Sequence, residues 1–126
     1  MSIPVSLDEL RRAIEATTSS PYLLSVGADG RPHCVSVSVE WRADALVTGV
    51  GNTTGANASA RPLVSLVWPP SEPGGHSLIV DATATTAGGG DGRMILEPTR
   101  AVLHRTVATP DASAAGESDC RPVYRP

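Results

Sequence analysis

The chain has 126 residues, a net charge of −3 and ten basic residues, all arginine. Its size fits one domain, and its charge argues against the basic face that an electrostatic nucleic-acid binder needs. No apolar run approaches the roughly 20 residues that cross a bilayer as a helix, and the opening MSIPVSLDELRR lacks the basic-then-apolar order of a secretory signal. A cytoplasmic protein with neither membrane nor nucleic acid as partner is the expectation. Cys34 and Cys120 show no metal-ligand spacing and read as free thiols. With no phenylalanine, the core must come from Val, Leu, Ile and Ala with two tryptophans.

In chain order, Ser6 to Thr17 reads as a helix. Ser6 and Glu9 form a capping-box pair, and Leu7, Leu10, Ile14 and Thr17 share one face. After Pro21 the period changes: Tyr22 to Ala28 is an apolar strand, and ADGRP is a turn signal. From His33 to Trp41 the alternation is strict, with Val35, Val37, Val39 and Trp41 on one face and Cys34, Ser36, Ser38 and Glu40 on the other. After the turn at RAD, Ala45 to Gly51 is a third strand. Asn57 to Arg61 reads as a short helix stopped by Pro62, and Leu63 to Trp68 as a fourth strand. The proline-rich loop PPSEPGG then separates it from two long strands, His76 to Ala87 and Arg93 to Thr109, joined as a hairpin through GGGDG. A barrel domain over residues 1–109 is followed by a tail, 110–126, whose composition suits a flexible segment.

These elements add up to a mainly β fold: a six-stranded antiparallel sheet or barrel with an N-terminal helix and a short helix between strands three and four. The chemistry is less distinct. His33, His76 and His104 stand far apart with no orienting carboxylate spacing, so neither a shared metal site nor a catalytic one is expected. Nothing near Cys34 would lower its pKa, and no nucleophile-elbow pattern occurs. No catalytic residue is singled out. Thr53, Thr54 and Asn57 have turn and helix-capping chemistry, and the same groups can donate to an anion at a helix N-terminus.

Three stretches carry a resemblance to the pyridoxamine 5'-phosphate oxidase-like family of flavin- and deazaflavin-binding split barrels, in an actinobacterial-type branch. SVGADGRPHCVSV is similar to the family's second hairpin, whose strand lines the flavin ring. NASARPLVSLVWPP resembles the family's Asn, four residues, then Pro and a Val-rich strand, with Asn57 and Pro62 in register. EPGGHSLIVDATA and PTRAVLHR resemble the rest of the barrel. The resemblance covers about residues 6–107. It implies a Greek-key split barrel and a homodimer with FMN or a deazaflavin at the interface, and no metal. By that likeness the cofactor residues are Ser36, Ser38, Asn52, Thr53, Thr54, Asn57 and Arg61, with Ser36 and Ser38 facing the ring.

The phosphate end departs from the family pattern. Members that bind a phosphorylated flavin carry Lys or Arg three residues before the Asn and another basic residue just before it; here those positions are Thr54 and Ala56. The family's Ser five before the Asn is Asn52, and a family Pro is Ser36. A charge-assisted hydrogen bond contributes on the order of 1.5–3 kcal/mol, so losing two weakens binding by roughly a hundred- to ten-thousandfold. Two expectations follow: an oxidoreductase with a weakened phosphate seat, or a cofactor-free split-barrel dimer with a binding or structural role.

Overall fold

The computed structural model of the protein describes residues 2–86 and 92–106. The GGGDG connection up to residue 91, the end of the last expected strand beyond residue 106, and the tail 110–126 lie outside the described residues. Within them the elements run β1 (Ser2–Val5), α1 (Leu7–Glu15), β2 (Tyr22–Val26), β3 (Pro32–Ser36), β4 (Val39–Arg42), β5 (Ala45–Gly49), α2 (Asn52–Ala60), β6 (Leu63–Trp68), β7 (Ser77–Thr86) and β8 (Arg93–His104).

Helix α1 starts where its cap was expected. Ser6 is extended at φ −69° and its hydroxyl accepts from the Glu9 amide at 3.3 Å. The helix stops two residues short of Thr17, which turns back on Ile14 through its amide at 3.0 Å and its hydroxyl at 2.7 Å. Leu10 is buried at 1% exposure, and Ala13 and Ile14 pack against the core. Leu7, one turn earlier, stays exposed at 52%.

All eight strands join one antiparallel sheet in the order β3-β2-β6-β7-β8-β5-β4, with β1 added alongside β8. The expected strand from His33 to Trp41 is divided: β3 pairs with β2, whereas β4 pairs with β5 at the opposite edge. Val37 and Ser38 carry the chain between them. Three peptide steps, from Ser36 to Val39, reach at most about 11 Å. In a flat sheet the two edges would lie six strand spacings apart, about 29 Å. The sheet must therefore curl until its edges meet at this link, which makes it a split barrel. At the seam the Val37 amide donates to the Pro21 carbonyl at 3.0 Å.

Two corrections to the six-strand expectation follow. Dividing one strand adds one, and Ser2–Val5 adds another by pairing Ser2 with His104 through Val5 with Ala101. The short helix keeps its place in the chain order but begins at Asn52 instead of Asn57. The core is aliphatic around one tryptophan. Leu23, Leu46, Leu66, Val80, Met94 and Leu96 have no measurable exposure, and Trp68 has 2%. Burying each such side chain contributes roughly 1.5–3 kcal/mol. The long β7–β8 pairing is broken by a bulge, with Asp81 opposite Arg100 and Ala82 opposite Pro98. The extra residue, Thr99, donates its hydroxyl to the Asp81 carbonyl at 3.2 Å. Among the described residues no helix is long and apolar enough to cross a membrane.

Candidate functional site

Five of the seven candidate residues lie in or directly after α2, whose sequence NTTGANASA has little intrinsic helical preference. Its start is set by Gly51, extended at φ −78° and ψ 177°, and its end by Pro62 just beyond the C-cap Arg61. The helix is held by packing on β7 and β2.

Its two ends differ. Towards the C-terminus, Asn57 is 8% exposed and donates its side-chain amide to the Ser25 hydroxyl, itself 1% exposed, at 3.3 Å. Arg61 donates Nε to the Val26 carbonyl at 2.6 Å. Both bonds tie the helix to β2, so Asn57 and Arg61 hold the fold as they stand. Thr54 is buried at 3% exposure, which leaves only its backbone amide facing the helix start. Towards the N-terminus, no side chain caps the helix and its first turn carries no acidic residue. First-turn amides lack partners within the helix and attract anions.

A hollow of about 220 Å³ lies against this open end, lined by Val50, Gly51, Asn52, Gly55, Ala56, Ser59, Gly92 and Arg93. A second hollow of about 310 Å³ is formed by Ser38, Val39, Glu40, Val47, Thr48, Gly49 and Arg93. Arg93 lines both. Its position is set by the sheet, because Arg93 pairs with Gly49 and the Val50 amide donates to the Gly92 carbonyl at 2.7 Å. The start of β8 is thereby fixed beside the turn from β5 into α2.

Of the predicted residues, Asn52 lines the first hollow and Ser38 the second. Thr53 is exposed in the first turn of α2. Ser36 sits at the end of β3 opposite Tyr22 and lines neither hollow. Arg93 was not legible as a site residue: only the β5–β8 register brings it to α2, and nothing local in the sequence marks it. The larger hollow of about 810 Å³ lies between α1 and the β4–β5 turn. There the Arg11 guanidinium sits 4.7 Å from the centroid of Trp41 and donates to the Ala43 carbonyl at 3.0 Å. It gathers none of the predicted residues, and size alone does not make it the site. Among the described residues, no group of three or more His, Cys, Asp or Glu is placed to hold a metal ion.

No family model matches the chain. Proteins from Mycobacterium bovis and Mycobacterium tuberculosis, both called uncharacterized, are 37% identical over 131 residues, covering 89% of this chain and 92% of theirs. Among solved structures, a putative pyridoxamine 5'-phosphate oxidase from Listeria innocua aligns with a TM-score of 0.61 at 14% identity, over 79% of this chain and 98% of that one. A FAD-binding protein from Mesorhizobium loti aligns with a TM-score of 0.60 at 15% identity, over 85% and 98%. The heme storage protein HutZ from Vibrio cholerae gives 0.60 at 13%, over 80% and 96%. The chain therefore belongs to one family with the mycobacterial proteins, and its fold is the pyridoxamine 5'-phosphate oxidase-like split barrel.

Proposed function

We propose that the protein is a flavin- or deazaflavin-binding oxidoreductase that works as a homodimer. The observation that carries this reading is the groove formed where β4, β5, β8 and the open end of α2 meet, on a fold shared with proteins described as a putative pyridoxamine 5'-phosphate oxidase and a FAD-binding protein. Together the two hollows fall within the roughly 300–1,000 Å³ typical of small-molecule sites. Their residues fit a phosphorylated ligand. An added Cβ at Gly51 would meet nothing within 4 Å, and one at Gly55 would come no closer than 3.7 Å to Val50 Cγ2. Neither glycine has positive φ. A glycine inside a helix costs about 1 kcal/mol relative to alanine. Since neither packing nor backbone geometry requires Gly55, the space it leaves suits a ligand.

In this reading the amides of Asn52, Thr53 and Thr54 hold the phosphate, and Ser38 lies towards the ring. The bound flavin or deazaflavin supplies the hydride chemistry; the protein binds, orients and shields it. The second copy covers the outer face of β2 and β6. Tyr22 at 44% exposure, Val26 at 37% and Leu63 at 74% form an apolar strip beside Leu24, and hydrophobic two-fold contacts are the common form of an obligate dimer.

The test is titration of the purified protein with FMN and with a deazaflavin, followed by fluorescence, alongside light scattering for mass. Saturable binding to a dimer supports the proposal, and a monomer that binds neither sinks it. A cofactor-free dimer is the second reading. It is favoured by the burial of Thr54 and by the structural bonds of Asn57 and Arg61, which leave the helix no cation aimed at a ligand. A dimer that binds neither ligand would select it.

A further inference from the structure

We infer that the hollow between α1 and the β4–β5 turn is a second ligand site, which takes a small organic cation on the face of Trp41. It stands apart from the flavin reading, since it shares no lining residue with the two hollows of the groove. Its space, about 810 Å³, opens where β8 is flanked on one side only. Strand β5 pairs with β8 through Leu96 and β1 pairs with it from Ala101. Residues 97–100 between them have a strand neighbour on the β7 side alone, and α1 packs over the gap. Pro98 has no amide hydrogen and Thr99 is the bulged residue, so this stretch does not template an added strand. A small molecule fits it better than a peptide.

The ring of Trp41 already holds a cation. The Arg11 guanidinium lies 4.7 Å from its centroid, within cation–π range. The Trp41 Nε1 is buried and has no hydrogen-bond partner among the described residues. A phenylalanine or leucine would avoid that penalty, so the position uses the face of the indole, the strongest cation acceptor among aromatic side chains. Arg11 itself is exposed, and its one hydrogen bond among the described residues runs from Nη2 to the Ala43 carbonyl at 3.0 Å. Ala43 has φ +56°, a strained conformation of the kind that collects at ligand clamps. Charge then selects the ligand. Arg42 is neutralised by Glu40 at 2.7 Å, and Asp8 sits in the first turn of α1, where the helix dipole favours it. The carboxylates of Asp44 and Glu97 have no hydrogen-bond or ion-pair partner among the described residues. An anion would face both of them. A cation that displaces Arg11 from the ring gains the aromatic face and two carboxylates in the wall, while Arg11 turns to solvent.

Choline and 3,3-dimethylbutan-1-ol have nearly the same shape and differ in charge, so comparing them isolates the cation. Both are titrated into the wild type, Arg11→Gln, Trp41→Leu and the double variant Asp44→Asn/Glu97→Gln. Intrinsic fluorescence and calorimetry are the readouts, with thermal unfolding as the check on the fold. The chain has two tryptophans and Trp68 is 2% exposed, so a fluorescence change on binding reports Trp41. The wild type should bind choline saturably and the alcohol not at all. Arg11→Gln, which removes the internal competitor, should bind choline about five- to tenfold more tightly. The double variant should weaken choline binding by a similar factor, and added salt should weaken it in the wild type. A folded Trp41→Leu should bind neither compound. If that variant does not fold, the gain in Arg11→Gln and the loss in the double variant carry the test, because all three substituted side chains are exposed. The inference is overturned if neither the wild type nor Arg11→Gln binds choline, or if the alcohol binds as well. Weaker binding by Arg11→Gln, or unchanged binding by a folded Trp41→Leu, also overturns it. The flavin reading is untouched by any of these results.

Discussion

The two ends of α2 are built from similar small polar residues and do opposite things. At the C-terminal end, Asn57 and Arg61 direct their side chains into β2, and the polar atoms that are covered find partners. At the N-terminal end, Gly51, Gly55 and Ala56 leave the amides facing a hollow that nothing in the helix fills. The difference shows that side-chain identity alone does not assign a residue to a ligand. Asn57, the residue that anchors the family resemblance, has its side-chain amide nitrogen engaged with Ser25, whereas Ala56, with no chemistry of its own, lines the groove.

That contrast breaks most severely at Thr54. We predict that Thr54→Arg, which places a guanidinium at a site 3% exposed, destabilises the fold by several kcal/mol and yields little soluble protein. Thermal unfolding that matched the wild type would show the helix to be looser than described. Next in size is Asn57→Ala, which strands the buried Ser25 hydroxyl and should cost about 1–3 kcal/mol in urea denaturation. A loss confined to flavin affinity, with stability unchanged, would instead make Asn57 a ligand residue.

Ala56→Arg sharpens the comparison from the other side. It adds a cation to the groove lining without burying it, so stability should move by no more than about 0.5 kcal/mol. FMN affinity should rise about tenfold, read by fluorescence titration. The smallest effect is expected of Gly55→Ala. A methyl group in ordinary contact with Val50 should stabilise the helix by up to about 1 kcal/mol and narrow the hollow, so the melting temperature rises as FMN affinity falls. A rise in both would show that the ligand does not occupy this space.

Much of the fold was readable in the sequence because local chemistry and burial agree. The Ser6 cap, the ADGRP turn, β6 and the β7–β8 pairing all follow from it. The division of the strand at Val37–Ser38 was hidden for a physical reason. Val35, Val37, Val39 and Trp41 all face the interior on both sides of the link, so the alternation continues unbroken while the hydrogen-bonding partner changes from β2 to β5. Strand β1 was missed because it is short, mostly exposed and contains Pro4. The first turn of α2 has no apolar period to announce it. As for the candidate site, Asn52 and Ser38 each line one of its hollows, but Arg93 depends on a register set by residues more than 40 positions away, which no local pattern records.

The pairing of Ser2–Val5 with the end of β8 also bears on how the chain reaches its native state. Ser2 and His104 are 102 residues apart in sequence, so closing this contact fixes almost the whole described chain into one loop. Such non-local pairings form late and slow folding. During synthesis β1 must wait for this partner until residues 101–104 have left the ribosome. We expect the amides of Ser2–Val5 to be the last in the sheet to gain protection in pulse-labelled hydrogen exchange. Protection there before the β6–β7 ladder has formed would show that the N-terminus docks by another route.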